Sequence, residues 1–392
     1  MKRIGMGLVG PGFVGAHHIE AVRRLGFVDV VAIAGSSEAS ARRKADALGV
    51  PKGYGSYEAL AADPDVHVVH NTTPNHLHGP VILAALAYEK HVVSDKPLAM
   101  TSAEAYDLWR AAERAGVVHA VTFNYRGNPL VQQARTLIGS GQRGPIHFIH
   151  GAYLQDWLLE ASDYSWRLEP DKGGPTSAVG DIGSHWCDLV QHVTGQRIVS
   201  VLAEFSTVVP TRWKSAAPTE AFARTGTGTR QAVTVRSEDL ASVLLRFDGG
   251  AKGTLSVGQV CAGHKNDLWF ETNGGRASLR WHQERQNDLW IGRREAANQI
   301  LAKDPALLAE AARPYAHLPG GHQEGWADAF CNVMRDIYSV IQGDRTAPRP
   351  PAFATFEDGY ASACVVDAIL DSHRRGGVWT EVCDRKAARV TS

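Results

Sequence analysis

The stretch IGMGLVGPGFVG, residues 4–15, places a short apolar run directly before the spacing Gly10-x-Gly12-x-x-Gly15. The run is typical of a buried strand, and a helical pattern follows it as far as Gly26. In that setting the first glycine permits a tight turn, the second lets the backbone approach a pyrophosphate, and the third lets helix and strand pack. The stretch therefore predicts a dinucleotide-binding βαβ unit. Its candidate cofactor contacts are Gly10, Gly12, Phe13, Val14 and Gly15.

The same alternation of strand and helix continues along the chain to about residue 125. Further apolar runs occupy residues 28–34, 66–72, 91–94 and 117–123, and helical patterns separate them. One of these helices is opened by Thr101 with Glu104 three residues later, which is a capping-box spacing. Successive βα units predict a parallel sheet covered by helices, so residues 1–125 are expected to form a Rossmann domain.

The pattern changes in the second part of the chain. Residues 147–155 and 200–209 have the composition of strands, and DGG at 248–250 and NGG at 273–275 lie between β-rich runs as in hairpins. We therefore expect an α/β protein in which residues 126–392 form a C-terminal α+β domain with a large, mostly antiparallel open sheet. The last helices, near 322–342 and 357–374, are expected either to stay in this domain or to pack back on the first.

Composition favours a small, neutral or weakly charged ligand. Lys plus Arg and Asp plus Glu both number 41, so no net field attracts nucleic acid or an anionic membrane surface. No apolar run approaches the length of a membrane span, and the glycine-broken start lacks the features of an export signal. The five cysteines are widely spread without CxxC spacing, which argues against a disulfide framework or a metal site and favours the cytoplasm.

A second motif, GDIGSHWCDL at 180–189, carries the candidate acid–base chemistry. Asp181 and His185 are four residues apart in a helical pattern that ends at Gly195, so their side chains share one face. A carboxylate that orients one imidazole nitrogen leaves the other available as a base, and the reference pKa of histidine, about 6.5, suits that role. The alternative is that Asp181 only caps the helix.

The residues after the second strand bear on the choice of cofactor. An acidic residue that binds the adenosine ribose is expected there, but the chain has Gly35, Ser36 and Ser37, followed by Arg42 and Arg43. Serine and arginine suit a 2′-phosphate, and the same serines suit the ribose diol of NAD. The arginines also fit a solvated helix face, so the sequence leaves NAD and NADP both open, with NAD as the expected cofactor.

Four motifs together resemble the glucose–fructose oxidoreductase, inositol dehydrogenase and rhizopine catabolism (Gfo/Idh/MocA) family. They are GPGFVG, then NTTPNHLHGP at 71–80, SDKPLAM at 94–100, and GDIGSHWCDL. The resemblance implies a Rossmann domain, a C-terminal domain whose open sheet often forms a dimer face, and hydride exchange between a nicotinamide cofactor and a sugar or cyclitol. It also implies a homodimer or homotetramer.

The resemblance assigns roles to single residues. The family's lysine of the Glu-Lys-Pro motif falls on Lys96, although Asp95 replaces the usual glutamate, and the family's aspartate and histidine fall on Asp181 and His185. The catalytic candidates are therefore Lys96, Asp181 and His185. The segments WLLEASDYSWR and GGHQEGWADAF look most like those of levoglucosan or glycoside 3-dehydrogenases within the family.

Further polar and aromatic residues are candidates for ligand contacts, with core packing or capping as the alternative for each. Additional cofactor candidates are Ser36, Ser37, Thr73, Pro74, Asn75, His78, Asp95 and Lys96. Substrate candidates are Tyr125, Arg126, Gln155, Asp156, Trp157, Trp166, Arg167 and His322. Tryptophan is included because an indole face suits the C–H face of a pyranose.

These features predict an NAD(P)-dependent dehydrogenase that acts on a ring secondary alcohol of a sugar, anhydro-sugar, glycoside or cyclitol. One alternative is an enzyme that retains NAD and cleaves glycosides through transient oxidation at C3. Another is a non-catalytic sensor of nucleotide and sugar, against which the joint presence of Lys96, Asp181 and His185 argues.

Overall fold

The computed structural model describes residues 3–141, 143–215, 230–344 and 351–383, which belong to two units that each contain a sheet. The first unit comprises Met1–Gly127 and Trp326–Ala363. The second comprises Asn128–Gly325 and Cys364–Ser392. The first boundary lies close to the expected one. The sequence left open where the last helices belong, and residues 326–363 cluster with the first unit.

The sheet of the first unit is parallel throughout, as predicted, with strand order β3-β2-β1-β4-β5-β6. Its strands are β1 (Ile4–Val9), β2 (Val28–Ala34), β3 (Lys52–Tyr54), β4 (Val68–Asn71), β5 (His91–Ser94) and β6 (His119–Val121). Its helices are α1 (Phe13–Arg23), α2 (Glu38–Leu48), α3 (Tyr57–Ala62), α4 (His78–Ala87), α5 (Ser102–Ala115) and, in chain-order numbering, α9 (Trp326–Ile341).

The core of this unit forms around β1, all six residues of which are buried. α9 contributes its strongly apolar face to the same cluster, including Phe330, Met334 and Ile337. The capping box predicted for α5 is present, since Thr101 accepts a hydrogen bond from the Glu104 amide at 3.2 Å. The short elements β3 and α3 were not predicted from the sequence.

The sheet of the second unit has nine strands in the order β16-β15-β14-β13-β7-β12-β11-β8-β17. All neighbours are antiparallel except β7 and β12, so the predicted antiparallel character is confirmed. The strands are β7 (Ile146–Leu154), β8 (Ile198–Ser206), β11 (Leu240–Phe247), β12 (Lys252–Gly258), β13 (Asp267–Gly274), β14 (Ala277–His282), β15 (Asp288–Arg293), β16 (Gln299–Ala302) and β17 (Thr380–Glu381). β9 (Thr211–Ser215) and β10 (Arg230–Thr234) form a separate pair.

The helices of the second unit are α6 (Pro129–Gly139), α7 (Pro170–Gly173) and α8 (Ser184–Thr194). α10 (Phe356–Arg374) contributes residues to both units. DGG and NGG connect β11 to β12 and β13 to β14, as the hairpin signal predicted. α9 begins at Trp326 rather than near 322, because residues 320–322 form a turn and residues 323–325 are extended or irregular before the helix starts.

One cysteine pair corrects the expectation of no disulfide. Cys364 on α10 and Cys383 after β17 are bonded, with their Cα atoms 5.7 Å apart. The two cysteines are separated by 19 residues, and only the return of the chain from α10 to β17 brings them together, so their linear spacing gives no sign of it. Within the described ranges, no helix is long and apolar enough to span a membrane.

Candidate functional site

In the glycine turn of the first unit, Gly10 and Gly15 are closely packed against their neighbours, whereas the space around Gly12 is open. Gly10 has a φ of +88°, and a Cβ on it would lie 2.8 Å from the backbone of Thr72 and Thr73. A Cβ on Gly15 would lie 2.9 Å from the Gly10 carbonyl oxygen. Around Gly12, in contrast, a Cβ would meet nothing within 4 Å.

The open space around Gly12 lies at the beginning of α1. Gly12 is the N-cap of this helix and supplies no side-chain cap, and the first turn contains no acidic residue. The amide groups of a helix N-terminus without a cap favour an anion, so this turn fits the pyrophosphate of a dinucleotide. Phe13 is 47% exposed beside the turn and Val14 is half-buried.

The serines after β2 begin α2. Ser37 is its N-cap and accepts a hydrogen bond from the Ser40 amide at 3.3 Å, while Ser36 is exposed beside it. Arg42 donates to the Glu38 carboxylate at 2.8 Å, and both side chains are exposed. Arg42, one of the two arginines considered as phosphate ligands, therefore already has an acidic partner.

The loop after β4 is organised by a buried amide. Asn71 Oδ1 accepts hydrogen bonds from the hydroxyl (2.8 Å) and the amide (3.3 Å) of Thr73, and Thr72 Oγ1 donates to the Gly10 carbonyl at 2.6 Å. Sequence reasoning named Thr73 but missed Asn71 and Thr72. Pro74 and Asn75 follow at the half-exposed start of the next turn.

His78 lies beneath this loop and is buried. Its two ring nitrogens approach the carbonyl oxygens of Pro97 (2.6 Å) and Thr73 (2.9 Å), and burial lowers its pKa. His78 therefore connects the Thr73 loop with the loop of Lys96, which makes it a support for both cofactor candidates.

Lys96 follows β5 and is held by its neighbour. One carboxylate oxygen of Asp95 accepts hydrogen bonds from the Lys96 amide at 2.8 Å and from the Thr122 hydroxyl at 2.9 Å, and the Lys96–Pro97 peptide is cis. A short aspartate side chain reaches the next backbone amide easily. Asp95, which replaces the family's usual glutamate, therefore holds the backbone of Lys96.

The turn after β6 contains Tyr125 and Arg126, both buried. Arg126 pairs with Asp358 of the same unit at 3.6 Å. Asn124 in this turn is also buried, and its Nδ2 has no hydrogen-bond partner among the described residues. A buried amide donor without a partner is costly, so Asn124 is an additional candidate for a ligand contact in the first unit.

In the second unit, Asp181 lies inside a π-helical segment, Val179–Gly183, which continues directly into α8 with His185. Asp181 therefore does not cap the helix, which was the alternative for this residue. Single π-helical turns are rare and often occur at functional sites. His185 is 8% exposed, and its ring lies 6.2 Å from that of Tyr153 between centroids. That Asp181 orients His185 stays a prediction.

Both carboxylate oxygens of Asp181 have partners from elsewhere in this unit. Arg167 Nε donates to Oδ1 at 3.2 Å, and Gln259 Nε2 donates to Oδ2 at 2.8 Å. Sequence reasoning named Arg167 but missed Gln259, which is buried after β12 and lies in no motif. The two donors fix the carboxylate plane and stabilise its charge.

A second group of polar side chains surrounds Gln155. Gln155 accepts a hydrogen bond from the Trp157 indole at 3.0 Å and donates to Asn266 Oδ1 at 3.2 Å. Tyr153 donates to the same oxygen at 2.6 Å. This chain of hydrogen bonds therefore ends at Tyr153, whose ring lies 6.2 Å from that of His185 between centroids. Asn266 was not found from the sequence.

The remaining substrate candidates divide into two groups. The Arg167 guanidinium lies over the ring of Trp166 at 4.6 Å and near that of Trp157 at 6.0 Å, so these three side chains cluster. Asp156 instead accepts from Lys265 at 2.5 Å, which lowers its pKa, and His322 lies in an exposed turn. The described contacts do not bring His322 to Asp181 or His185.

Comparison with known proteins gives matches over both units. The oxidoreductase family model described as an NAD-binding Rossmann fold matches residues 4–123, and the GFO/IDH/MocA C-terminal domain model matches residues 131–280. Levoglucosan dehydrogenase of Pseudarthrobacter phenanthrenivorans is 30% identical over 97% of this chain and 99% of that enzyme.

Solved structures resemble the chain over the same length. Levoglucosan dehydrogenase in complex with NADH and levoglucosan has a TM-score of 0.86 and 27% identity, covering 98% of this chain and 100% of that one. An inositol dehydrogenase homolog from Azotobacter vinelandii complexed with NAD⁺ also has a TM-score of 0.86 at 27% identity, with 97% of each chain covered.

Proposed function

Because the chain belongs to the GFO/IDH/MocA family of oxidoreductases with an NAD-binding Rossmann fold, we propose that it oxidises a ring secondary alcohol of a sugar or anhydro-sugar. Levoglucosan is the first substrate to test, since a levoglucosan dehydrogenase matches the chain over nearly its full length. The observation that supports the proposal is the Asp181 carboxylate, which Arg167 and Gln259 hold on a π-helical segment that continues into the helix of His185.

We assign three roles in this reaction. NAD, when bound, supplies the hydride acceptor. His185 takes the hydroxyl proton, and Asp181, held by Arg167 and Gln259, stabilises the positive imidazolium that results. Lys96 donates a hydrogen bond to the reacting oxygen, from a backbone position that Asp95 holds.

The proposed cofactor is NAD rather than NADP. Glu38 places a carboxylate in the first turn of α2, directly after Ser36 and Ser37, and Arg42 is paired with it. A 2′-phosphate bound beside the serines would meet the charge of Glu38 and would have to compete with it for Arg42. The ribose diol of NAD meets no such penalty.

We also propose that the chain forms a homo-oligomer through the open face of the nine-stranded sheet. Phe148 and Leu244 are exposed on its strands. A cavity of about 500 Å³ lies over β13–β16, between Trp269 and Trp290. Exposed apolar side chains on a sheet face favour contact with a second protein surface, and light scattering of the purified chain measures the assembly size.

The proposed function can be tested by a screen of levoglucosan, pyranoses, glycosides and cyclitols with NAD and with NADP. The readout is the absorbance of the reduced nicotinamide. Steady formation of NADH with a sugar supports the proposal. Release of sugar from a glycoside without net NADH would instead indicate the glycoside-cleaving alternative. No turnover on any member of the panel would favour the sensor.

The matched variants in this screen are His185→Ala and Asp181→Asn. Loss of a general base lowers turnover by about 10²- to 10⁴-fold, so His185→Ala should lose most activity and also the decline of turnover at low pH. Asp181→Asn should lose less, because the amide keeps the shape but not the charge. The affinity for the cofactor, measured by titration, should be unchanged in both variants. Near-normal turnover of His185→Ala would refute the assignment of the base.

A further inference from the structure

The backbone at the start of the segment that carries Asp181 and His185 is hydrogen-bonded to a buried carboxyl group from a distant part of the sequence. Glu238 precedes β11 and is 2% exposed. Its Oε1 atom accepts hydrogen bonds from the Ser177 amide at 2.9 Å and from the Val179 amide at 2.8 Å. The Ala178 amide in between donates to the Glu238 backbone carbonyl at 3.4 Å. Three consecutive amides therefore bind one residue.

These amides are the donors that a helix start leaves unsatisfied. No side chain of the segment caps it, since its N-cap residue, Ala178, has none to offer. Glu238 therefore acts as a cap supplied from another part of the chain, and an unmade bond at such a buried position costs free energy. Asp181 lies two residues after Val179, so the cap fixes the start of the turn that presents the carboxylate.

Asp239, the residue after Glu238, contacts Gln259, which is the second residue that supports Asp181. The Gln259 amide donates to the Asp239 carbonyl at 3.0 Å, and the Gln259 side chain binds Asp181. Asp239 itself is buried and pairs with the fully buried Arg212 at 2.7 Å. The Asp181 carboxylate is thus located by Glu238 through the backbone and by Asp239 through Gln259.

We propose that Glu238 is a positioning residue for the proposed oxidation, which fixes the π-helical turn so that Asp181 and His185 keep their working geometry. The inference rests on the proposed function and adds a residue that belongs to none of the sequence motifs. The role of Glu238 does not require contact with the reacting atoms. It acts only through the backbone of residues 177–179.

The geometry requires an acceptor and not a charge. A single oxygen of Glu238 takes both side-chain hydrogen bonds, and an amide oxygen does the same. Burial raises the pKa of this carboxyl to about 7, and a protonated carboxyl still offers its carbonyl oxygen. Gln is therefore the conservative substitute, whereas Leu has a similar volume and no acceptor.

The experiment compares Glu238→Gln with Glu238→Leu in the full-length chain. Displacement of catalytic groups by about 1 Å can cost about 100-fold in rate, so we expect a kcat loss of roughly that size for Leu, while Gln retains most of the turnover. NAD affinity, measured by titration, should be the same in both variants. The matched control is Ser372→Ala, which removes a buried acceptor from the Ala203 amide in the same unit.

Equal kcat losses in Glu238→Leu and Ser372→Ala would reduce the role of Glu238 to general stability and overturn the proposal. So would a Leu variant with normal kcat, or a Gln variant as impaired as Leu. Hydrogen exchange of peptides covering residues 176–185 gives a second readout that needs no substrate. Faster exchange in Leu alone supports the positioning role even if no sugar is oxidised, and unchanged exchange contradicts it.

Discussion

The three glycines of the turn after β1 have different physical duties although they belong to one motif. Gly10 is required by its left-handed backbone and by the close approach of Thr72 and Thr73, and Gly15 by the contact with the Gly10 carbonyl. Gly12 meets no neighbour, so the folded chain alone gives no reason for a glycine there. The space before it is explained by a ligand that approaches the backbone.

This difference predicts opposite outcomes for two substitutions. Gly12→Val should leave the unfolding free energy nearly unchanged and abolish NAD binding, because the side chain occupies the path of the pyrophosphate. Gly10→Ala should instead destabilise the protein by more than about 1 kcal/mol, because alanine is strained at a φ of +88°. Chemical denaturation and cofactor titration separate the two. Normal NAD binding by Gly12→Val would mean that the motif is only a turn.

At the same scale, the sequence names the residues proposed to carry the chemistry but not every residue that supports them. Lys96, Asp181 and His185 stand in recognisable motifs. Gln259 and Glu238, which support Asp181 from 78 and 57 residues away along the chain, are an ordinary glutamine and glutamate with no local pattern. Their contribution depends on strand pairing that brings β11 and β12 beside the π-helical segment, and periodicity does not reveal such pairing.

Among the elements, α2 begins with a serine that has a structural function and a proposed cofactor contact. Ser37 caps the helix through the Ser40 amide, and it also stands where the adenosine ribose is proposed to bind. Aspartate is as good an N-cap as serine, whereas alanine provides no cap. The two substitutions therefore separate the charge effect from the capping effect.

We expect Ser37→Asp to keep the stability of the protein and to weaken NADP binding far more than NAD binding, through repulsion of the 2′-phosphate. Ser37→Ala should cost about 1 kcal/mol of stability and change the two affinities by similar factors. Fluorescence titration with both cofactors, together with thermal unfolding, makes the comparison. If Ser37→Asp weakens both cofactors equally, the adenosine ribose binds elsewhere.

Element prediction succeeded for the repeated βα pattern and the hairpins, and in the first unit it missed two short elements. The βα repeat and the hairpin glycines gave the character of both sheets, since buried parallel strands and hairpin turns have strong local signatures. β3 has three residues and α3 six, too few for a period to be visible. The π-helical turn at Val179–Gly183 shares the residue pattern of an α-helix, and it is distinguished only by its hydrogen bonds.

At the scale of the whole molecule, the expected domains are two continuous segments of the chain, whereas each observed unit combines two separate segments. α9 is separated from the Rossmann strands by about two hundred residues, yet its face built from Phe330, Met334 and Ile337 completes the same core. Any helix with this amphipathic pattern needs an apolar surface, but the pattern does not say which one. The place of α9 therefore follows only from tertiary packing.

The core that α9 completes also contains a buried polar chain. His18 of α1 and His70 of β4 are joined through their Nδ1 atoms at 2.8 Å, and His70 Nε2 lies 2.9 Å from the Tyr338 hydroxyl of α9. All three side chains are inaccessible to solvent. Burial lowers the pKa of His18 to about 4 and that of His70 well below its usual value.

Acid should therefore destabilise this unit. Unfolded histidine has a pKa of about 6.5, so between that pH and about 4 the unfolded chain binds a proton that native His18 does not. The contribution of neutral, buried His18 to the free energy of unfolding is complete above pH 6.5 and decreases as the pH falls toward 4, by up to about 3 kcal/mol.

The unfolding free energy of His18→Gln, which lacks this titration, should depend less on pH than that of the wild type. His147→Gln, which changes an exposed histidine, should keep the wild-type slope. Denaturant unfolding of the three proteins across this range makes the comparison, and parallel curves for His18→Gln and the wild type would show that the buried pair does not govern acid stability.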